Sequence, residues 1–259
     1  MKTRSRVATS AIGLMFLLAG GIAAEAAELK VLCAVGMQPL MENLGPKFER
    51  ATGHQLAVTF ATLGPALKRV QDGETYDVVW IPRPGIESLV KEGKAVGSTV
   101  TVIASTSIGV AVRKGAPKPD ISSPEAVKRA LLAAKSITYG NPKYGGLSGI
   151  HFTKVLDRLG IAEEMKRKTV LLDHAGLAGV LVANGEAEIV VQPIQELMVV
   201  AGIDIVGPLP GDLQDTVVFQ AAIMTSAKDA EASKALVNFL HTPEVAKVIK
   251  AMGMEPAFP

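Results

Sequence analysis

Short apolar runs alternate with stretches whose apolar positions recur every three to four residues, almost from end to end of the chain. The first kind fits buried strands and the second fits helices with one covered side, so the alternation predicts α/β layers built on a mainly parallel sheet. LKVLCAV (29–35) reads as a first strand, PLMENLGPKFERATG as a helix ending at Gly53, and QLAVTFAT as a second strand. PALKRVQDGE follows as a helix, YDVVWIP (76–82) as a third strand, and SLVKEGKAV as a short helix. The strand-rich segment TVIASTSIGVAVRKG then closes in the Pro-rich turn APKPD.

The pattern restarts with SPEAVKRALLAA, a helix in which Ser123 caps ahead of Pro124 at the first helical position. SITYG reads as a strand, GIHFTKVLDRLG as a helix, KTVLLD as a strand, AGLAGVLVANGE as a helix and AEIVVQPI as a strand. A loop-rich passage leads to Gly211, VVFQAAIMTS is a further strand, and DAEASKALVNFLHTPEVAKVIKAMG makes one or two helices. Two α/β runs with a strand-rich seam between them predict two lobes: residues 27–107 with 216–259, and residues 108–215.

The start of the chain stands outside this pattern. Lys2, Arg4 and Arg6 precede an apolar run from Val7 to Ala24, and Ala24-Glu25-Ala26 has the small-x-small form of a cleavage site. Residues 1–26 are therefore expected to be a signal peptide that sends the mature protein to the periplasm. Removing them takes three of the 27 basic and one of the 25 acidic residues, which leaves 24 of each. That balance lacks the basic excess of nucleic-acid binders, so no nucleic-acid partner is expected. Cys33 is the single cysteine, which excludes an intramolecular disulfide, and its place in LKVLCAV predicts a buried, inert thiol.

Ligands of open parallel sheets gather outside the carboxyl ends of the strands, and three loops qualify: AVGMQP (34–39), ATLGPA (61–66) and GNPKYGGLSGIH (140–151). Each sets Gly or a small hydroxyl residue before a helix, where free N–H groups and the positive end of the helix dipole favour an anion. The third loop carries Lys143, Tyr144, Ser148 and His151 but neither the Gly-Lys-Ser/Thr order of a P-loop nor GxGxxG, which disfavours ATPase and dinucleotide chemistry. Ser148 and His151, three apart at a helix start, are placed to face one direction, yet GLSGI is not the GxSxG of a serine hydrolase. His54, His151, His174 and His241 lie far apart without metal-ligand spacing, so neither metal nor cofactor is expected. Arg83 follows the third strand between two prolines, either as a fork for a carboxylate or as a solvated loop residue. Gln192 and Gln195 end another strand as neutral amides, and Glu196 beside them can cap a helix or, if buried, act as a base.

Taken together, the export signal, LKVLCAVGMQPLMENLGPKFERATG, FATLGPALKRVQDGETYDVVW, GNPKYGGLSGIHFTKVLDRLG and HTPEVAKVIKAMG resemble the periplasmic molybdate-binding proteins of ABC importers over essentially the whole mature chain. The resemblance implies the type II periplasmic binding protein fold, with two α/β lobes joined by crossover hinge strands around a small anion. By position it implies ligand contacts at Gly36 and Met37, at Thr62, Leu63 and Gly64, at Gly146, Leu147 and Ser148, and at Ala175 and Pro193, with Arg83, His151 and Gln192 as further ligand-binding candidates. Where that family uses serine hydroxyls and a hinge tyrosine, this chain has Gly36, Thr62 and Pro193. It is more similar to a divergent branch with Gly-Gly-x-Ser-Gly-Ile-His, to which periplasmic aconitate isomerase is also similar.

The implied function is a monomeric solute-binding protein that carries an organic carboxylate or a molybdate-like oxyanion to an inner-membrane ABC permease. The alternative is a cofactor-free isomerase of aconitate type, in which His151 is the best placed titratable group and Glu196 or His174 the second.

Overall fold

A strand that is apolar on both faces needs cover on both, and the chain supplies it by following such strands with one-sided helices. The computed structural model describes residues 26–144 and 146–258, so the expected signal peptide lies outside the described residues except for its last position. β1 (Glu28–Ala34) runs into a single 3-10 turn, Val35–Met37, and α1 (Gln38–Thr52), which Gly53 ends in the left-handed conformation at φ 78°. β2 (Gln55–Ala61), α2 (Leu63–Gln71), β3 (Val78–Pro82) and α3 (Arg83–Lys91) repeat the unit. α3 begins earlier than SLVKEGKAV predicts, because Pro84 falls in its first turn, where a missing N–H is tolerated. β4 (Thr101–Arg113) is one long strand.

The second run holds α4 (Pro124–Ala133), β5 (Ile137–Tyr139), α5 (Leu147–Arg158), α6 (Ala162–Lys168), α7 (Gly179–Asn184), β6 (Ile189–Pro193), α8 (Ile194–Met198) and β7 (Ile203–Pro208). β8 (Thr216–Ile223), α9 (Ala230–Phe239), α10 (Pro243–Ala251) and β9 (Glu255–Pro256) complete the chain. Ser123 caps α4 as its sequence position predicts, its Oγ accepting the Ala126 N–H at 3.2 Å.

Two stretches differ from the pattern-based reading. KTVLLD is not a strand: Lys168 belongs to α6, pairs with Glu164 one turn back and donates to the Leu132 carbonyl, which leaves Thr169 a single bridge to Ile137. The passage before Gly211 is not all loop, because α8 and β7 lie within it; β7 finds its partner in the free edge of β4, a contact no local signal announces.

The strand order is β2-β1-β3-β8-β4-β6-β5, with β7 and β9 also on β4. β1 pairs in parallel with β2 and β3, and β5 with β6, whereas β8 runs antiparallel to β3, and β4 antiparallel to β6, β7, β8 and β9. The α/β class is as expected, but the sheet is mixed, since apolar periodicity marks a strand without fixing its direction. Residues 101–107 of β4 pair with β8, and residues 108–113 pair with β6 and β7, so one strand serves two groups.

The buried side chains divide at the same point. The largest cluster draws on residues 29–104 and 217–254, with Phe48, Trp80 and Leu32 at its centre, and the others draw on residues 108–213 around Phe152, Val191 and Val182. Cys33 is buried in the first cluster, where burial pushes its thiol pKa up, as its apolar run predicts.

One buried carboxylate ties the first core together. Asp77, only 3% exposed, accepts the Lys30 N–H at 2.8 Å and the Lys228 N–H at 2.7 Å, which joins β1 and the approach to α9 at the start of β3. Asp77→Ala leaves two backbone donors without partners and is expected to lower stability by about 2–3 kcal/mol in urea unfolding. A loss below about 0.5 kcal/mol would show that water replaces the carboxylate.

Candidate functional site

β1, β2 and β3 end together, and their carboxyl ends open on a cavity of about 90 Å³. One side is made by Ala34, Val35 and Gly36 after β1, Ala61, Thr62 and Leu63 around the start of α2, and Pro82 after β3, with Val217 and Phe219 of β8 as floor. The other side is made by the loop from Gly140 into α5, by Ala175, Gly176 and Leu177 before α7, and by Gln192, Pro193 and Glu196 where β6 turns into α8. Among the described residues, no Lys, Arg or His stands in this lining.

Two helices start at the cavity without side-chain caps: α2 after Thr62 and α5 after Gly146. The first backbone bonds back along them are Ala66 N–H to Thr62 and Ile150 N–H to Gly146. The earlier N–H groups, those of Leu63 and Gly64 and of Leu147, Ser148 and Gly149, thus have no acceptor in their own helix. α5 can start there only because residue 149 is glycine: a Cβ would stand 1.6 Å from the Gly140 carbonyl oxygen. Ser148 is 6% exposed, lines the cavity, and its hydroxyl has no hydrogen-bond partner among the described residues. Free N–H groups, a hydroxyl and two helix dipoles converge on one space, which is the chemistry of an anion site.

The two sides also touch. Thr62 Oγ1 donates to the Tyr144 carbonyl at 2.6 Å, and the Tyr144 hydroxyl donates to the Asp173 carbonyl. A Cβ on Gly36 would lie 2.9 Å from Glu196 Oε1, so glycine is what lets the turn after β1 meet α8. Glu196 Oε2 accepts from Gln192 Nε2 at 2.9 Å, and Gln192, itself buried, is fixed by the Gly179 N–H at 3.0 Å. Gln195 is buried beside this contact with neither amide atom bonded among the described residues. Burial lifts the Glu196 carboxyl from its usual range to about 7. Among the described residues, no group of three or more His, Cys, Asp or Glu converges to hold a metal ion.

A family model for bacterial extracellular solute-binding proteins matches residues 29–255. The chain belongs to this family. The solute-binding protein is 30% identical over 259 residues to aconitate isomerase of a Pseudomonas species, covering 97% of each chain. It is 31% identical over 240 residues to the molybdate-binding protein ModA of Azotobacter vinelandii, covering 89% of this chain and 91% of that one. The solved Azotobacter vinelandii periplasmic molybdate-binding protein superposes with a TM-score of 0.72 at 22% identity, over 89% of this chain and 99% of that one. The fold is thus the type II periplasmic binding protein fold.

Within this solute-binding protein, Gly36, Thr62, Leu63, Gly146, Leu147 and Ser148 are brought to the one cavity, together with Ala175, Gln192, Pro193 and Glu196. Met37 is fully buried in the first core and Gly64 is exposed, and neither lines the cavity. Arg83 and His151 do not reach the cavity; they line a separate depression with Lys154 and Asp215. The reason for His151 is its tether: Nε2 bonds the Leu213 carbonyl at 2.8 Å, with Asp215 3.7 Å from Nδ1, so it faces away from Ser148. Arg83 is an exposed first residue of α3 rather than a loop residue. His174 is exposed and bonded to Asp173 at 2.7 Å. Val217 and Phe219 carry no sequence signal for a site, because an apolar strand looks the same whether it faces a core or a cavity.

The raised Glu196 pKa has a consequence for stability. A carboxyl whose folded-state pKa exceeds its unfolded one favours folding in its protonated form, and that stability is lost as pH rises through about 7. Glu196→Gln should therefore match the wild type in urea unfolding near pH 4.5 and exceed it above pH 7. The gain is capped at about 3 kcal/mol and reduced by partial exposure of the group. Parallel stability profiles for the two proteins would contradict the assignment.

Proposed function

We propose that this protein is a periplasmic receptor of an ABC importer that closes two lobes, residues 27–107 with 216–259 and residues 108–215, on a small anion. The observation that carries this reading is the pair of uncapped helix starts and the Ser148 hydroxyl, without a partner among the described residues, at one cavity whose described lining holds no cationic side chain. Neutral donors bind an oxyanion or carboxylate without creating a buried charge of their own in the empty receptor. A cavity of about 90 Å³ is far below the ~300–1,000 Å³ of drug-sized sites, which favours a compact anion. Closure would turn on β4, and the Thr62–Tyr144 bond and the Gly36–Glu196 approach belong to the closed form. The receptor acts as a monomer, and its partner is an inner-membrane permease that reads that form.

A thermal-shift series with molybdate, tungstate, sulfate, phosphate, citrate and the aconitates tests this. The ligand at about 100 times its Kd stabilises by about 2.7 kcal/mol, which raises Tm by roughly 5–11 °C. Ser148→Ala should weaken that ligand by about tenfold, a loss of one hydrogen bond to a charged group. No stabilisation by any of these anions, or full stabilisation of Ser148→Ala, would count against the site.

The second reading is a cofactor-free isomerase of aconitate type, and one observation favours it: Glu196 is the carboxyl in the cavity and is lifted to about 7. A group with that pKa is available both as base and as acid near neutral pH. In this reading Glu196 takes a proton from the methylene carbon beside a carboxylate, the double bond shifts by one carbon, and the proton returns to the far end of the allylic system. His151, outside the cavity, takes no part in the transfer. Purified protein incubated with cis-aconitate should then form the trans isomer; Glu196→Gln should lose at least about a hundredfold in rate, and His151→Ala should retain it. Saturable binding of aconitate without conversion leaves the receptor alone.

A further inference from the structure

An anion that enters this cavity meets a carboxyl there and, among the described residues of the lining, no cation to offset it. Two like charges in contact in a poorly solvated site are not tolerated together, so one of them must carry a proton. The geometry shows where that proton belongs. Glu196 Oε2 is occupied by Gln192 Nε2, which the Gly179 N–H locks through the other end of the amide. Oε1 has no hydrogen-bond donor among the described residues and points to Gly36, where no side chain intervenes.

We propose that Glu196 makes one proton part of the ligand, so that the cavity closes on an anion only with a proton shared between Oε1 and that anion. This rests on the small-anion reading of the cavity. An oxyanion or carboxylate that carries its own proton shares it by donating a hydrogen bond from its O–H to ionised Glu196. A fully ionised anion binds only after Glu196 takes a proton from water. Selection therefore favours conjugate bases of weak acids over those of strong acids.

The turn after β1 brings Gly36 to Glu196, β6 brings Gln192, its own helix brings Gln195, and the loop before α7 brings Gly176. Tyr144 is the other ionisable side chain of the lining, and its hydroxyl is held by the Asp173 carbonyl. His174, which lies against Gly176, is exposed and paired with the Asp173 carboxylate. Burial lifts Glu196 to about 7, which puts the exchange within the physiological range.

Calorimetric titration of the mature protein and of Glu196→Gln with molybdate, sulfate and inorganic phosphate, from about pH 6 to about 8.5, tests the proposal. For the wild type, Kd for whichever permanently ionised dianion binds should rise about tenfold per pH unit above about 7, with uptake of about one proton per ligand at pH 8, read from buffers of different ionisation enthalpy. Phosphate, which brings a proton, should lose less than about threefold over the same range, and Glu196→Gln should bind the dianion with a flat profile. Binding of the dianion with no proton uptake, or the same slope in both proteins, overturns the proposal and leaves the anion site standing. Binding of none of the three, and of neither citrate nor the aconitates, by either protein at pH 6 removes the anion site and the proposal together.

Discussion

The structure depends on β4 belonging to two cores at once. Its first half is hydrogen-bonded to β8 and its second half to β6 and β7, and the buried clusters change over between Ala104 and Ile108. A continuous strand carries backbone bonds across that change without leaving polar groups unpaired, so the two packings can be adjacent without merging. The cavity is the space this leaves. It lies where the strand ends of the first core face the loops of the second.

The cavity's capacity for an anion comes from backbone N–H groups and one hydroxyl rather than from cationic side chains among the described residues. Uncapped helix starts supply fixed dipoles and N–H groups, and glycine at 149 allows α5 to start against β5 closely enough to present them. The same closeness at Gly36 brings in Glu196, the group that complicates anion binding and that makes a proton-transfer reading possible. The proposed receptor and isomerase readings thus differ over the use of one carboxyl in one frame. That is consistent with a chain about equally identical to an aconitate isomerase and to a molybdate-binding protein.

The site was partly legible in the residues. Gly36, Thr62, Leu63, Ser148 and Gln192 stand where strand ends and helix starts can be read from periodicity, and the structure gathers them at one cavity. Arg83 and His151 were attractive for their chemistry alone. Their side chains leave the cavity because α3 begins at Arg83 and because the Leu213 carbonyl holds the His151 ring, a partner 62 positions along the chain. α8 and β7 were missed for the same kind of reason: their segments are short, and β7 is defined by the β4 edge it meets.

By itself the sequence determined the α/β alternation, the first three strands with their helices, the buried thiol of Cys33 and the glycine-rich helix starts, because these depend on neighbours within a few residues. The tertiary structure decided strand direction, the changeover in β4, and which titratable group enters the cavity. Hydrogen-bond partners and burial are set by residues distant in sequence, and Glu196 acquires its raised pKa from burial in the folded chain, where the turn at Gly36 meets it.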